Sequence, residues 1–171
     1  CKVASFDDTK SAQLGSYLPT DLGMDPDESV IWVVDPEDYK ADMLFAFEDG
    51  RVARVALAGY VTKTNRKRLK NAIYGGSRLL YAQVLKEDRD LALVSNDGRL
   101  MNFNTSLLKT KTTTNTQGVR AFTAKKNRVV TAVGAIEDFL GSEAWTEKFT
   151  AQALPCAGAL MKEDDMPSLF D

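Results

Sequence analysis

Two stretches of this 171-residue chain share one pattern of apolar and polar positions. Asp42-Met43-Leu44-Phe45-Ala46-Phe47-Glu48-Asp49-Gly50-Arg51-Val52 reads as an apolar run, an Asp-Gly-Arg and the start of a second apolar run. Asp90-Leu91-Ala92-Leu93-Val94-Ser95-Asn96-Asp97-Gly98-Arg99-Leu100 repeats it at an offset of 48. Asp-Gly between two β-rich runs predicts a hairpin, because a tight type I′ turn needs positive φ at its centre and glycine supplies it without strain.

The copies continue beyond the hairpins. Val52-Ala53-Arg54-Val55-Ala56-Leu57 matches Leu100-Met101-Asn102-Phe103-Asn104-Thr105, and each leads into a polar, basic, threonine-rich stretch, 61–71 and 109–119. Further strands are predicted at Arg78-Leu79-Leu80-Tyr81-Ala82, at Arg128-Val129-Val130-Thr131-Ala132 and, one interval earlier, at Ser29-Val30-Ile31-Trp32-Val33. Units of this length with several short strands and no long amphipathic helix predict an all-β, propeller-like array of blades, since a small sheet cannot bury its faces alone. The expected division is a partial blade over 1–41, blades over 42–89 and 90–140, and a tail over 141–171. Short helical turns are expected at Asp35-Pro36-Glu37-Asp38-Tyr39 and over 134–140. The tail is expected to pack back through Trp145 and Phe149, or to be partly disordered.

Composition narrows the chemistry. With 44% hydrophobic and 27% charged residues the chain reads as soluble and globular. Its longest apolar run, Val30-Ile31-Trp32-Val33-Val34, is far too short to cross a bilayer, and no signal-peptide pattern opens it. A cytoplasmic protein is the expectation. The two cysteines, Cys1 and Cys156, make no disulfide framework, and the absence of histidine excludes a Cys/His zinc site. That absence also removes the usual general base and the Ser-His and Cys-His nucleophile pairs. No Gly-rich phosphate loop, paired-carboxylate motif or nucleophile elbow stands in their place, so a binding module is expected rather than an enzyme.

The formal charge of −2 hides a segregation. Between Arg51 and Arg128 there are 17 Lys and Arg against four acids, a net of +13, while the flanks carry −15. A basic centre between acidic ends is the footprint of one face meeting a polyanion while the rest keeps the protein soluble.

The order of these elements resembles the carboxy-terminal domains of the A subunits of DNA gyrase and topoisomerase IV, bacterial type IIA topoisomerases that share a β-pinwheel. In each blade of that family a Leu-Leu-Phe-type strand, a Gly-Arg/Lys turn, a second strand, a helical turn, a loop with the gyrase box or a degenerate form, and a Val-Val-type strand follow one another. Here the order runs Leu44-Phe45-Ala46-Phe47, Gly50-Arg51, Val52 to Leu57, Ala58-Gly59-Tyr60, Thr62 to Arg68 and Leu79-Leu80. The second copy runs Leu91 to Val94, Gly98-Arg99, Phe103 to Leu107, Lys111 to Arg120 and Lys125 to Val130. The resemblance covers roughly residues 2–133. It implies double-stranded DNA as ligand, bound along the blade rims and bent or steered. It also implies that the catalytic tyrosine, ATP and Mg lie elsewhere, and that a second A subunit, like the B subunit, is met through other regions. No cofactor is expected in this segment. The glutamine, basic and glycine-rich gyrase box has no intact copy: Ala12-Gln13-Leu14-Gly15 and Thr116-Gln117-Gly118-Val119-Arg120 are fragments. Degenerate boxes are the topoisomerase IV pattern, so DNA binding is implied more firmly than full wrapping.

The candidate DNA-contacting residues are Lys63, Arg66, Lys67, Arg68 and Lys70 in one unit, and Lys109, Lys111, Arg120, Lys125, Lys126 and Arg128 in the next. Five cations within residues 63–70 would repel one another without an anionic partner. Arg51 and Arg99, each beside a hairpin glycine, are expected to serve their turns instead. The end, Met166-Pro167-Ser168-Leu169-Phe170-Asp171, is similar to peptides that dock in the bacterial sliding clamp, which would engage Leu169 and Phe170. Glu163-Asp164-Asp165 could compete with DNA for the basic rim. The rival reading is a propeller-like protein-interaction module that binds no nucleic acid.

Overall fold

A computed structural model describes residues 6–30, 32, 33, 35, 39–64, 69–141 and 146–165. The repeat is carried by two antiparallel hairpins in the same register. Strands β1 (Asp42–Phe47) and β2 (Arg51–Ala56) pair through Leu44↔Arg54 and Ala46↔Val52. Strands β4 (Asp90–Ser95) and β5 (Arg99–Asn104) pair through Ala92↔Asn102 and Val94↔Leu100. Each hairpin is flanked by the expected third strand, β3 (Leu79–Leu85) on β1 and β7 (Val130–Gly134) on β4.

The turns differ from the type I′ expectation. Gly50 N donates to Phe47 O at 3.0 Å and Gly98 N to Ser95 O at 3.0 Å. Only the glycines, at φ 78° and 72°, take the left-handed region; Asp49 and Asp97 do not. Each loop is therefore a three-residue connection, a tight turn followed by a left-handed glycine. The aspartate is released to use its side chain: Asp49 Oδ1 accepts from Arg51 N at 3.2 Å, and Asp97 Oδ1 from the Ser95 hydroxyl at 2.7 Å.

The sheets are completed by exchange. The two-residue β6 (Val119–Arg120), from the second unit, pairs antiparallel with β2 of the first. Lys111 likewise forms a parallel bridge to Val55. In the same fashion β8 (Thr150–Ala151) lies parallel to β5, and β9 (Ala159–Leu160) antiparallel to it. The strand orders are β3-β1-β2-β6 and β7-β4-β5-β8, with β9 also on β5. Gly118, at φ 64°, enters β6 so close to β2 that a Cβ there would collide with the Val52 carbonyl.

Alternation along the strands assigns the faces. Leu44, Ala46 and Val52 of the first blade pack with Leu91, Leu93, Met101 and Phe103 of the second, joined by Phe122 and Val130. The first blade's opposite face, Met43, Phe45, Phe47, Ala53 and Val55, is covered by Leu57, Ile73, Tyr60 and Tyr74. Phe47 meets Tyr74 edge-on at 5.2 Å between ring centres. The second blade's outer face, Ala92 and Leu100, is covered by Ile136, Leu140 and Phe149. At the 48-residue offset Leu44 corresponds to Ala92, yet Leu44 faces inward and Ala92 outward. The blades therefore stack front to back, the arrangement that lets a repeat propagate.

The all-β expectation holds, with one short helix among the described residues, α1 (Leu18–Leu22), and 3₁₀ turns that include Ile136–Asp138 within the expected 134–140 turn. The strand expected at 29–33 is corrected. Its described members Ser29, Val30, Trp32 and Val33 form no strand and are exposed. A β-branched run becomes a strand only by pairing, and these residues do not pair although Trp32 lines a cleft with Leu79, Leu80, Tyr81 and Ala82 of the edge strand β3. Of the 35–39 turn, residues 36–38 lie outside the described set, as does Trp145; Phe149 is buried.

Candidate nucleic-acid interface

The strand exchange brings the two basic loops together. The second unit's loop is laid on the first blade: Lys111 N donates to Arg54 O at 2.9 Å, and Ala56 N to Lys111 O at 2.8 Å. The loop then turns toward the first unit's own basic stretch, where the Thr114 hydroxyl donates to Asn71 O at 3.0 Å. The backbones are so close that a Cβ on Gly59 would stand 2.8 Å from the Thr112 carbonyl. Asn71 takes a left-handed φ of 56°, a conformation asparagine tolerates.

Lys63 and Lys70 from one loop and Lys109 and Lys111 from the other therefore stand on loops that meet beside the first blade, all exposed. None of the four forms an ion pair among the described residues. Two floors support them. The Tyr60 hydroxyl donates to Ala72 O at 2.8 Å, and burial pushes its phenol up to about 12, so it stays neutral. The Thr110 hydroxyl, between the two lysines, donates to Asp42 Oδ2 at 2.9 Å. Arg66, Lys67 and Arg68 lie outside the described residues.

The remaining candidates gather at the hairpin end. From the Lys111 bridge to β6 is about four residues of β2, on the order of 13 Å at strand rise. Arg120 is half-buried and its guanidinium donates to Asp49 O at 3.4 Å. Arg128 is held fast: its Nη2 and Nε donate to Asp97 Oδ2 at 2.9 and 3.2 Å, and its Nη1 to Thr123 O at 3.3 Å. It also lies 5.5 Å from the Phe122 ring centre, with 8% of its side chain exposed. Lys125 joins Asp97 at 2.9 Å but stays exposed, as does Lys126. Hydrogen bonds from Ser95, Arg128 and Lys125 hold the Asp97 carboxyl well below the usual range. Arg128 and Asp97 are thus a clasp between the β7 approach and the second hairpin, while Lys125 and Lys126 display charge.

Arg51 is engaged with its own turn, whereas Arg99 reaches out to the tail. Arg51 reaches Asp49 at 3.3 Å and lies 5.9 Å from the Tyr74 ring centre, and Arg99 donates to Gly158 O at 2.8 Å. In the acidic 3₁₀ turn Glu163–Asp165, Asp165 pairs with Lys148 at 2.8 Å. Leu169 and Phe170 lie outside the described residues. The residues that sequence reading missed are Thr110, Thr114, Asn71 and Gly118, which hold the loops in place. The one available signal was Gly118, a glycine closing a threonine-rich stretch before a strand.

No protein-family model matches the sequence, and no curated protein does. Solved structures do. The crystal structure of a C-terminal domain of DNA topoisomerase IV superposes with a TM-score of 0.77 at 17% identity, covering 97% of this chain and 57% of that one. The C-terminal domain of Escherichia coli ParC gives 0.65 at 15%, covering 89% and 68%. A DNA gyrase A C-terminal domain gives 0.51 at 16%, covering 75% and 47%. The chain has the fold of these domains and spans about half the length of the topoisomerase IV and gyrase structures. Among the described residues no helix is long and apolar enough to cross a membrane.

Proposed function

We propose that the chain binds duplex DNA as part of the carboxy-terminal domain of a type IIA topoisomerase A subunit, bending or steering the duplex. The observation that carries this reading is the juxtaposition of two cationic loops from successive units on one blade. Lysines without local counterions contact phosphates, release condensed cations and read no sequence. In the intact enzyme ATP and Mg would act elsewhere, and the partners would be a second A subunit plus the B subunit. The setting would be the cytoplasm, on the nucleoid.

The test is a titration with mixed-sequence duplex across salt concentrations. Binding at low salt that falls steeply and linearly on logarithmic axes is expected. No binding at low salt, or affinity indifferent to salt, would return the chain to the protein-interaction reading. Docking of Leu169 and Phe170 in a sliding clamp is a separate proposal, decided by a clamp pull-down with and without residues 166–171.

A further inference from the structure

One guanidinium crosses the junction between the blades. Arg54 lies opposite Leu44, on the face of the first blade that meets the second. Within its own blade its Nε donates to Asp42 Oδ2 at 2.6 Å. At the junction its Nη1 donates to Asp88 Oδ1, in the connection from β3 to β4, at 2.6 Å, and across it to the Thr105 carbonyl at 3.5 Å. Thr105 is buried, donates its hydroxyl to Asp88 at 3.3 Å and accepts from Arg89 N at 2.9 Å. On the near side, Asp42 also accepts the Thr110 hydroxyl that stands between Lys109 and Lys111.

A planar guanidinium has a rigid fork of donors, so engaging partners in both blades fixes direction as well as distance. Partly buried ion pairs contribute little net stability; their best-attested use is to select one register over others. The equivalent position 48 residues on is Asn102. Its shorter amide donates to Asp90 of its own blade at 3.5 Å and leaves Oδ1 buried without a partner among the described residues. The bridge therefore belongs to this junction and is no general requirement of the hairpin.

We infer that Arg54 is a positioning residue that sets the angle between the two blades and, through Asp42 and Thr110, the placement of Lys109 and Lys111, so that it governs the curvature of a bound duplex. The part concerning curvature rests on the DNA-binding reading; the blade angle does not.

Spin labels at Gly75→Cys and Glu137→Cys, with Cys1 and Cys156 replaced by Ser, report the inter-blade distance by pulsed electron resonance. One narrow distribution is expected for the parent. Asp88→Asn and Arg54→Met should broaden or shift it, with Arg54→Lys intermediate. Distributions identical to the parent overturn the inference. If Arg54→Met does not fold, Asp88→Asn decides, because that carboxylate is 43% exposed and its loss leaves the Asp42 arm of Arg54 in place. On DNA, Asp88→Asn should leave the Kd for a short duplex within about twofold, since a carboxylate offers an anionic phosphate no attractive contact. It should also lower end-to-end energy transfer on a duplex long enough to meet both blades. A shifted distance with unchanged transfer overturns the curvature part. A parent that binds no duplex overturns the DNA reading alone, and the spin-label distances still decide the blade angle.

Discussion

Arg128 grips Asp97 through two guanidinium nitrogens, at 2.9 and 3.2 Å, joining the start of β7 to the second hairpin turn. Because the folded carboxyl is held below its unfolded value of about 3.9, the clasp stabilises fully above that value and is lost as pH falls toward the folded one. The melting temperature of the parent should therefore exceed that of Asp97→Asn at neutral pH, with the gap closing below about pH 4. A gap independent of pH would show that Asp97 acts without its charge.

Gly118→Ala places a methyl group against the Val52 carbonyl at a left-handed φ. The strain should cost on the order of 1–3 kcal/mol in urea unfolding. It should also free the 111–120 segment from β2, seen as faster amide exchange at Ala121, whose N–H donates to Gly50 O. Duplex affinity should fall although no cation is removed.

Replacing Lys63, Lys70, Lys109 and Lys111 together by Ala should weaken binding alike on unrelated sequences. Each lost phosphate contact should flatten the logarithmic salt slope by about 0.9, measured by anisotropy titration. Replacing Arg66, Lys67 and Arg68 should act in the same direction. Arg128→Ala should instead lower stability and leave the slope nearly unchanged, because its side chain is committed to Asp97.

Phe47→Ala removes a fully buried ring from the face capped by Tyr74 and should cost roughly 3–5 kcal/mol in chemical denaturation. Leu107→Ala, at a side chain 40% exposed, should stay within about 0.5 kcal/mol.

Much of this was written locally. Alternating apolar runs about an Asp-Gly placed both hairpins, since period-two burial and a left-handed glycine are properties of adjacent residues. The charge count marked the basic centre for the same reason. The turn type was misread because Gly alone needs positive φ, and nothing local shows that Asp49 and Asp97 do not share it. The 29–33 run was misread because a strand depends on edge pairing, which its described members do not make with β3 beside them.

What the sequence determined by itself is therefore the repeat, the hairpins and the pool of cations. The tertiary structure alone decided that Lys111 and β6 of one unit complete the blade of another, and that Leu44 faces inward while its equivalent Ala92 faces outward. It also decided which arginines, Arg54 and Arg128, are drawn into carboxylates and which lysines stay displayed. Each of these depends on contacts between residues remote in the chain, made only when front-to-back stacking buries faces that no single unit can cover.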